Sequence, residues 1–385
     1  MNKPLCIYLI AGEPSGDLLG SRIMRALKKQ TNNAVCFEGV GGETMTKEGL
    51  SSLFDIKDLA VMGFVEVLPS IPRILKHLNE IITDIRQKKP DIIMTIDSFS
   101  FSIRVHQKLK KNGIDIPHIH CVAPQVWAWK KERAKTLGQY VQHLFCLLPS
   151  EPAYFTPYGL TAEFVGHPVI EGGADKGNAH LFRQKYNISD DKNVLCLLPG
   201  SRKNEIKYLV PIFKSVVERL YQKYPNLVVI IPTVDTVADK LKTYFSAWHV
   251  PYIIVQGEKE RYDSFAAAQM AIAASGTVSL ELALAGVPHL IAYKVSKLSG
   301  WLARKLLKIK YVNLINLQMD KEIIPELLQE DCTVEKILET TENLIQTGQQ
   351  DTTQALSCFG IGSGTTPSEK IALKMIEMVE KNGRA

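Results

Sequence analysis

The chain reads as an α/β protein with two Rossmann-like domains, each a parallel sheet covered by helices on both faces. Three observations predict this. Short β-branched runs alternate with longer helical patterns in both halves, the arrangement that buried parallel sheets require. Three apolar runs end in glycine turns that lead into a helical pattern: Leu5–Ile10 before Gly12-Glu13-Pro14-Ser15-Gly16-Asp17, Val194–Leu198 before Pro199-Gly200-Ser201-Arg202, and Met270–Ala274 before Ser275-Gly276-Thr277. Periodicity fails near Gly166–Gly177, where glycine is dense, and this sets the hinge.

Strands are expected in the first half at Leu5–Ile10, Val35–Val40, Ile92–Ile96, His118–Val122 and His143–Leu147, with helices over Ser21–Gln30, Ile71–Lys88 and Ile103–Lys111. In the second half the strands are Val194–Leu198, Leu227–Ile231, Tyr252–Val255, Met270–Ala274 and Pro288–Ala292, with helices over Tyr208–Tyr224 and Val278–Ala285. A last helix, Ser368–Lys381, follows the loose stretch Gly360–Pro367 and is expected to pack back on the first domain. The domains are thus residues 1–170, joined by 368–381, and residues 171–360.

With 385 residues the chain suits two ordinary domains, and 45% hydrophobic content gives each a full core. No apolar run reaches the ~20 residues that span a bilayer. The N-terminal run passes straight into Glu13 and Asp17 without a small-residue cleavage pattern, so it reads as the first strand rather than a signal peptide. Seven cysteines form no close pair, which fits buried thiols in a reducing cytoplasm. A net charge of +6 gives no licence for nucleic acid. From Lys294 to Tyr311, however, six basic residues and no acidic one are interleaved with Trp301, Leu302, Leu306, Leu307 and Ile309. That stretch suits anionic lipid head groups, and equally a solvated helix over its own core.

A strand that ends in a glycine turn and feeds a helix directs backbone N–H groups and a partial positive charge at one point, where phosphate is a natural guest. The two turns of the second half, Gly200-Ser201-Arg202 and Ser275-Gly276-Thr277, therefore read as holding a diphosphate. Arg202 has the planar fork for phosphate oxygens, or pairs with nearby Glu205. Glu281, one turn into the helix after Thr277, suits the two hydroxyls of a ribose, or merely complements the helix dipole. The first turn is acidic and suits chemistry: Glu13 and Asp17 flank it, with helix capping as the ordinary reading. Asp97 ends the strand Ile92–Ile96, where carboxylates face the crevice of a parallel sheet, or forms a turn before Ser98. Pro124-Gln125-Val126-Trp127-Ala128-Trp129 is core aromatic or a sugar- or acyl-contacting surface. Met62-Gly63-Phe64-Val65-Glu66-Val67-Leu68-Pro69 is ordinary core or an apolar mouth for a lipid tail. No His/Cys cluster has zinc-ligand spacing, and there is no Walker A lysine and no GxGxxG.

Taken in order, these segments resemble the lipid-A-disaccharide synthases, inverting glycosyltransferases of family 19. The resemblance runs through Gly39-Val40-Gly41-Gly42, Pro90-Asp91, Ile96-Asp97, Phe164-Val165-Gly166-His167-Pro168, Leu198-Pro199-Gly200-Ser201-Arg202, Glu205-Ile206, Leu280-Glu281 and Pro325-Glu326-Leu327-Leu328-Gln329, besides the turns already quoted. It implies a GT-B fold, two Rossmann-like domains facing across a cleft, with UDP on the second domain and the acceptor on the first. The implied reaction joins UDP-2,3-diacylglucosamine to 2,3-diacylglucosamine 1-phosphate, giving the β-1,6-linked disaccharide and UDP, in lipopolysaccharide synthesis. No cofactor and no metal are expected, the basic stretch Lys294–Tyr311 and the apolar Met62–Leu78 suggest a cytoplasmic protein peripheral to the inner face of the membrane, and a homodimer stays open. Arg202, Glu281 and Asn316 match nucleotide-side positions, and Glu13 and Asp97 match the acceptor side.

One departure matters. Where the family reads Asp-Ala-Pro-Asp-Phe-Asn, this chain has Asp97-Ser98-Phe99-Ser100-Phe101-Ser102, so the second aspartate is Ser100. A serine is no general base unaided, and the role passes to Asp97, Glu13 or Asp17, or is lost. The segment after Asn316 reads Leu317-Gln318-Met319-Asp320 and lacks the family's Ala-Gly-Arg. Two alternatives stay open: another UDP-sugar GT-B enzyme, such as a UDP-N-acetylglucosamine 2-epimerase or a lipid-linked transferase, and a catalytically silent lipid-precursor binding protein.

Overall fold

The computed structural model describes residues 4–59, 67–274, 276–296, 310–348 and 350–381, with side chains between 67 and 71 left aside. Residues 62–66 of the apolar motif, Ser275, and residues 297–309 of the basic stretch lie outside the described residues. The chain divides into two compact units, Met1–Pro168 with Gly362–Ala385, and Val169–Ile361.

In the first unit six parallel strands, β1 (Leu5–Ala11), β2 (Val35–Val40), β3 (Ile92–Ile96), β4 (His118–Cys121), β5 (His143–Cys146) and β6 (Thr161–Phe164), lie in the order β2-β1-β3-β4-β5-β6. Side chains alternate across a strand, so β1 feeds two cores at once. Ile7 and Leu9 pack with Ile23, Leu27 and Met94 on one face, and Tyr8 and Ile10 with Ile81, Ile85, Ile93 and Val105 on the other. The first face is completed by the helix Pro367–Lys381, whose Ile371, Met375 and Val379 join that core beside the helix Pro14–Gln30. The C-terminal helix thus returns to the first helix, with Lys29 and Glu369 paired at 2.9 Å.

The second unit repeats the scheme with β7 (Asn193–Leu198), β8 (Leu227–Thr233), β9 (Tyr252–Gln256), β10 (Met270–Ala273), β11 (His289–Tyr293) and β12 (Glu326–Leu328), all parallel, in the order β12-β11-β10-β7-β8-β9. Its largest core cluster joins Leu195, Leu197, Val229, Ile231 and Ile272 of the sheet to Ile206, Val210, Phe213 and Val217 of the helix Lys203–Lys223.

The ten expected strands form within a residue or two of their expected bounds. Each sheet also has a sixth strand that periodicity does not mark. β6 reads Thr-Ala-Glu-Phe and β12 reads Glu-Leu-Leu; both are short, at an edge, and nowhere fully buried. Helices begin earlier than expected, at Pro14, Phe99 and Lys203 rather than Ser21, Ile103 and Tyr208, because glycine, serine and charged residues interrupt the apolar period there although Leu19, Phe101 and Ile206 are buried.

Candidate functional site

Strand order fixes where chemistry can collect. In the second sheet the connections from β7 run toward β8 and β9, and those from β10 toward β11 and β12, so a crevice opens beyond the carboxyl ends of β7 and β10. In the first sheet the same divergence falls between β1 and β3. The three glycine turns and Asp97 stand at these two places.

At the β7/β10 point there is a cavity of about 460 Å³, lined among others by Gly200, Ser201, Arg202, Arg261, Gly276, Thr277 and Glu281. The β7 turn is built around Glu205. Its Oε2 accepts from the backbone N–H of Ser201 (2.9 Å) and of Arg202 (3.1 Å), and its Oε1 from Arg202 Nη1 (3.1 Å) and the Tyr293 hydroxyl (3.2 Å). Gly200 has φ +105, and a Cβ there would stand 2.3 Å from Glu205 Oε2, so glycine is required on two counts. The amides of Ser201 and Arg202 therefore point at a carboxylate of their own helix, a capping arrangement. What this turn offers the cavity is the Arg202 side chain, 65% exposed, rather than those two amides. The Glu205 pairing weighed in the sequence is formed.

On the β10 side Gly276 (φ +134) and Thr277 are exposed in the turn before the helix Val278–Leu284. Glu281 follows on that helix and accepts from Arg261 Nη2 at 3.0 Å and from the Tyr262 hydroxyl at 3.3 Å. Burial opposes the charge on Arg261, but Glu281, Tyr262 and Glu258 outweigh it and hold its pKa above the ordinary arginine value. Arg261 Nε is buried without an acceptor. Sequence reading missed Arg261, on the helix Glu258–Ala267, because the turn at Gly257 that opens this helix after β9 carries no phosphate- or ribose-binding pattern in its first residues. The cavity thus carries two Arg–Glu pairs, one from each side.

At the β1/β3 point the structure brings Glu13 and Asp97 together through crossed hydroxyls. Ser98 Oγ donates to Glu13 Oε1 at 2.9 Å, and Ser15 Oγ donates to Asp97 Oδ2 at 3.1 Å. Asp97 (φ +57) and Ser98 (φ +44) both adopt the left-handed conformation that non-glycine residues seldom take, and the Ser98 amide donates to Asp97 Oδ1 at 2.8 Å. Gly12 lets the two loops approach, since a Cβ there would meet Ser98 Cβ and Oγ at 2.6 Å.

Asp17 has a different task from the chemistry expected of it. Its buried carboxylate accepts from the amides of Gly42 (2.7 Å), Thr44 (3.0 Å) and Met45 (3.0 Å) and from the Thr44 hydroxyl (2.7 Å), capping the helix Glu43–Lys47. Asn316 likewise departs from the expected nucleotide contact. It is wholly buried, its Oδ1 accepts from the amides of Ile323 and Ile324, and its Nδ2 donates to the Ile324 carbonyl and to Glu326. All four of its hydrogen-bonding capacities hold the segment that leads into β12 and that strand's first residue, away from the lining of the cavity.

Two parallel six-stranded sheets, with candidate site residues at the carboxyl-end switch point of each, define a GT-B-like fold. Solved structures share it. The UDP-GlcNAc 2-epimerase of Neisseria meningitidis, bound to UDP-GlcNAc, matches with a TM-score of 0.64 at 13% identity, over 97% of this chain and 100% of that one. MurG of Acinetobacter baumannii matches with a TM-score of 0.59 at 13% identity, over 98% and 100%. At such identity the likeness is one of fold alone. Sequence decides the rest: the family model for lipid-A-disaccharide synthetase matches residues 7–376. The lipid-A-disaccharide synthase of Paramagnetospirillum magneticum is 45% identical over 385 residues, 98% of each chain. That of Rhodospirillum centenum is 43% identical, over 98% of this chain and 96% of the other. The chain belongs to the lipid-A-disaccharide synthase family, and it is a glycosyltransferase of lipid A biosynthesis.

Proposed function

We propose that the second unit binds UDP-2,3-diacylglucosamine in the Arg202–Glu281 cavity, and that the first unit presents 2,3-diacylglucosamine 1-phosphate to Glu13 and Asp97. The acceptor's 6-hydroxyl attacks the anomeric carbon of the donor. A C–O bond forms there as the bond to the diphosphate oxygen breaks, UDP leaves with the electron pair, and the configuration inverts through an oxocarbenium-like transition state. Asp97 or Glu13 takes the hydroxyl proton. Arg202, with Gly200 and Ser201 shaping its turn and Gly276 and Thr277 opposite, stabilises the charge that develops on the diphosphate. Glu281 receives the ribose hydroxyls.

The observation that supports this reading best is the cavity at the β7/β10 switch point, because it gathers the exposed, Glu205-paired Arg202 side chain, an open glycine turn and an Arg-held carboxylate within one volume. Incubation of the protein with both acylated substrates tests it. A β-1,6-linked disaccharide 1-phosphate and one equivalent of UDP are expected; no disaccharide with both substrates present overturns the reading. The basic residues of Lys294–Tyr311 further support peripheral attachment to the anionic inner face of the cytoplasmic membrane. Salt-reversible binding to anionic vesicles and none to neutral ones is the expected result. Equal binding to both would make the stretch ordinary surface.

A further inference from the structure

The aromatic loop after β4 has no task in the reaction so far. Its Trp129 is 37% exposed and carries two cations, with Lys130 Nζ 4.2 Å and the Arg133 guanidinium carbon 5.3 Å from the ring centroid. The same guanidinium lies 4.9 Å from the ring of Phe99, which begins the helix Phe99–Lys111 two residues beyond Asp97. Rings from two strand-end loops therefore mount Arg133 beside the Asp97 loop.

Among the described residues neither cation has an ion pair, although Glu132 stands between them in the chain. Partial burial pulls the Arg133 pKa below its ordinary value, and no carboxylate is near enough to offset it. An aromatic face holds a cation by its quadrupole without occupying its N–H groups. The planar guanidinium fork and the three donors of the ammonium stay available, and that donor set matches the oxygens of a phosphate monoester.

We propose that Lys130 and Arg133, mounted on Trp129 and Phe99, bind the phosphomonoester of the acceptor sugar. The inference rests on the reading that the first unit takes the acceptor, and it adds what orients that acceptor: the phosphate is held on the cation pair while the hydroxyl at the other end of the sugar meets the Glu13–Asp97 loops. It also gives the Pro124–Trp129 motif a function, as the platform of an anion subsite.

The test compares acceptors with and without the 1-phosphate, in wild type and in Arg133→Gln, Lys130→Gln and Arg133→Lys. Arg133→Gln should lower kcat/KM for the phosphorylated acceptor by ~10–100-fold, as expected for one or two charge-assisted hydrogen bonds. It should change the unphosphorylated acceptor by less than ~3-fold and leave the donor KM unaltered, with Arg133→Lys in between. Equal losses with both acceptors, or no loss, overturn the proposal, because a merely structural stack cannot sense the phosphate. Calorimetric titration with glucosamine 1-phosphate against glucosamine is independent of turnover. Selective binding of the former by wild type, lost in the Arg133→Gln/Lys130→Gln variant, supports the subsite even if no disaccharide forms. Lack of any preference overturns it.

Discussion

Ser98 Oγ donates to Glu13 Oε1 at 2.9 Å, across the gap between the loops that follow β1 and β3, while Ser15 Oγ returns a bond of 3.1 Å to Asp97. Each carboxylate is thereby held by a hydroxyl from the opposite loop. A general base contributes ~10²–10⁴-fold to such a reaction, so loss of the true base in Asp97→Asn or Glu13→Gln should lower kcat by that factor. Ser98→Ala should cost far less, about 3–10-fold, since a solvent-exposed hydroxyl–carboxylate bond is worth ~1 kcal/mol. Gly12→Ala should exceed Ser98→Ala, because its Cβ drives the loops apart. Rates with both acylated substrates check the order; full activity in both carboxamide variants would exclude the pair.

Substitution of Arg202 should separate stability from catalysis. Its pair with Glu205 is 65% exposed on the arginine side, and exposed pairs contribute little to folding. Arg202→Ala should leave the melting temperature nearly unchanged. It should raise the barrier by about 2–4 kcal/mol if the guanidinium stabilises the departing diphosphate. An unchanged rate at saturating donor would remove Arg202 from the site.

Glu281 and Arg261 should behave as one unit, because Arg261 Nη2 grips the carboxylate at 3.0 Å. Glu281→Gln and Arg261→Gln should each weaken UDP binding, and the double variant should be little worse than the singles. Calorimetry decides. Additive losses would mean that the two residues contact the nucleotide independently.

The sequence carried the strand-end logic, because a glycine turn after a buried apolar run is a local feature. Glu13, Arg202 and Glu281 were readable as candidates in that way, and Asp97 as a carboxylate ending a buried strand. Residues set by distant partners were not. Asp17 looks catalytic beside Glu13, yet its acceptors are filled by the amides of Gly42, Thr44 and Met45, some 25 to 28 residues on. Arg261 meets Glu281 only once β10 and its flanking helices are folded. β6 and β12 were illegible for a different reason: an edge strand of three or four residues needs no apolar alternation.

Buried titratable groups give the fold a pH profile of mixed sign. Thr95 Oγ1 bonds both His106 Nε2 (2.8 Å) and His120 Nδ1 (2.7 Å) in the first core. Burial lowers the His106, His118 and His120 pKa values, His120 to about 4. A depressed histidine contributes stability above its unfolded value and loses it as pH falls, for His120 on the order of 3 kcal/mol between pH ~6.5 and ~4. Glu151 is opposite: burial pushes it up to about 7 against the bonds from Leu147, Leu148 and Trp127. Its contribution is present below the unfolded value and is lost as pH rises toward 7. Urea midpoints should therefore fall from pH 7 to pH 5 in wild type. Glu151→Gln should be more stable than wild type at pH 8 and lose that advantage at pH 5. A Glu151→Gln difference independent of pH would refute the assignment.

Ser100→Asp asks whether this chain lacks a base or has moved it. Ser100 is exposed in the first turn of Phe99–Lys111, a turn with no acidic residue, and its carbonyl accepts from Arg104 Nη1 at 2.5 Å. A carboxylate there meets the positive end of the helix and should add ~0.3–1 kcal/mol of stability, so loss of folding will not obscure the result. If Asp97 or Glu13 is the base, the change should alter kcat by less than ~3-fold and leave the pH–rate profile in place. A gain of tenfold or more, in a variant where Asp97→Asn no longer matters, would assign the proton acceptor to position 100 and leave wild type impaired at the chemical step. Rates for wild type, Ser100→Asp, Asp97→Asn and the double variant across pH 5–9 distinguish the two outcomes.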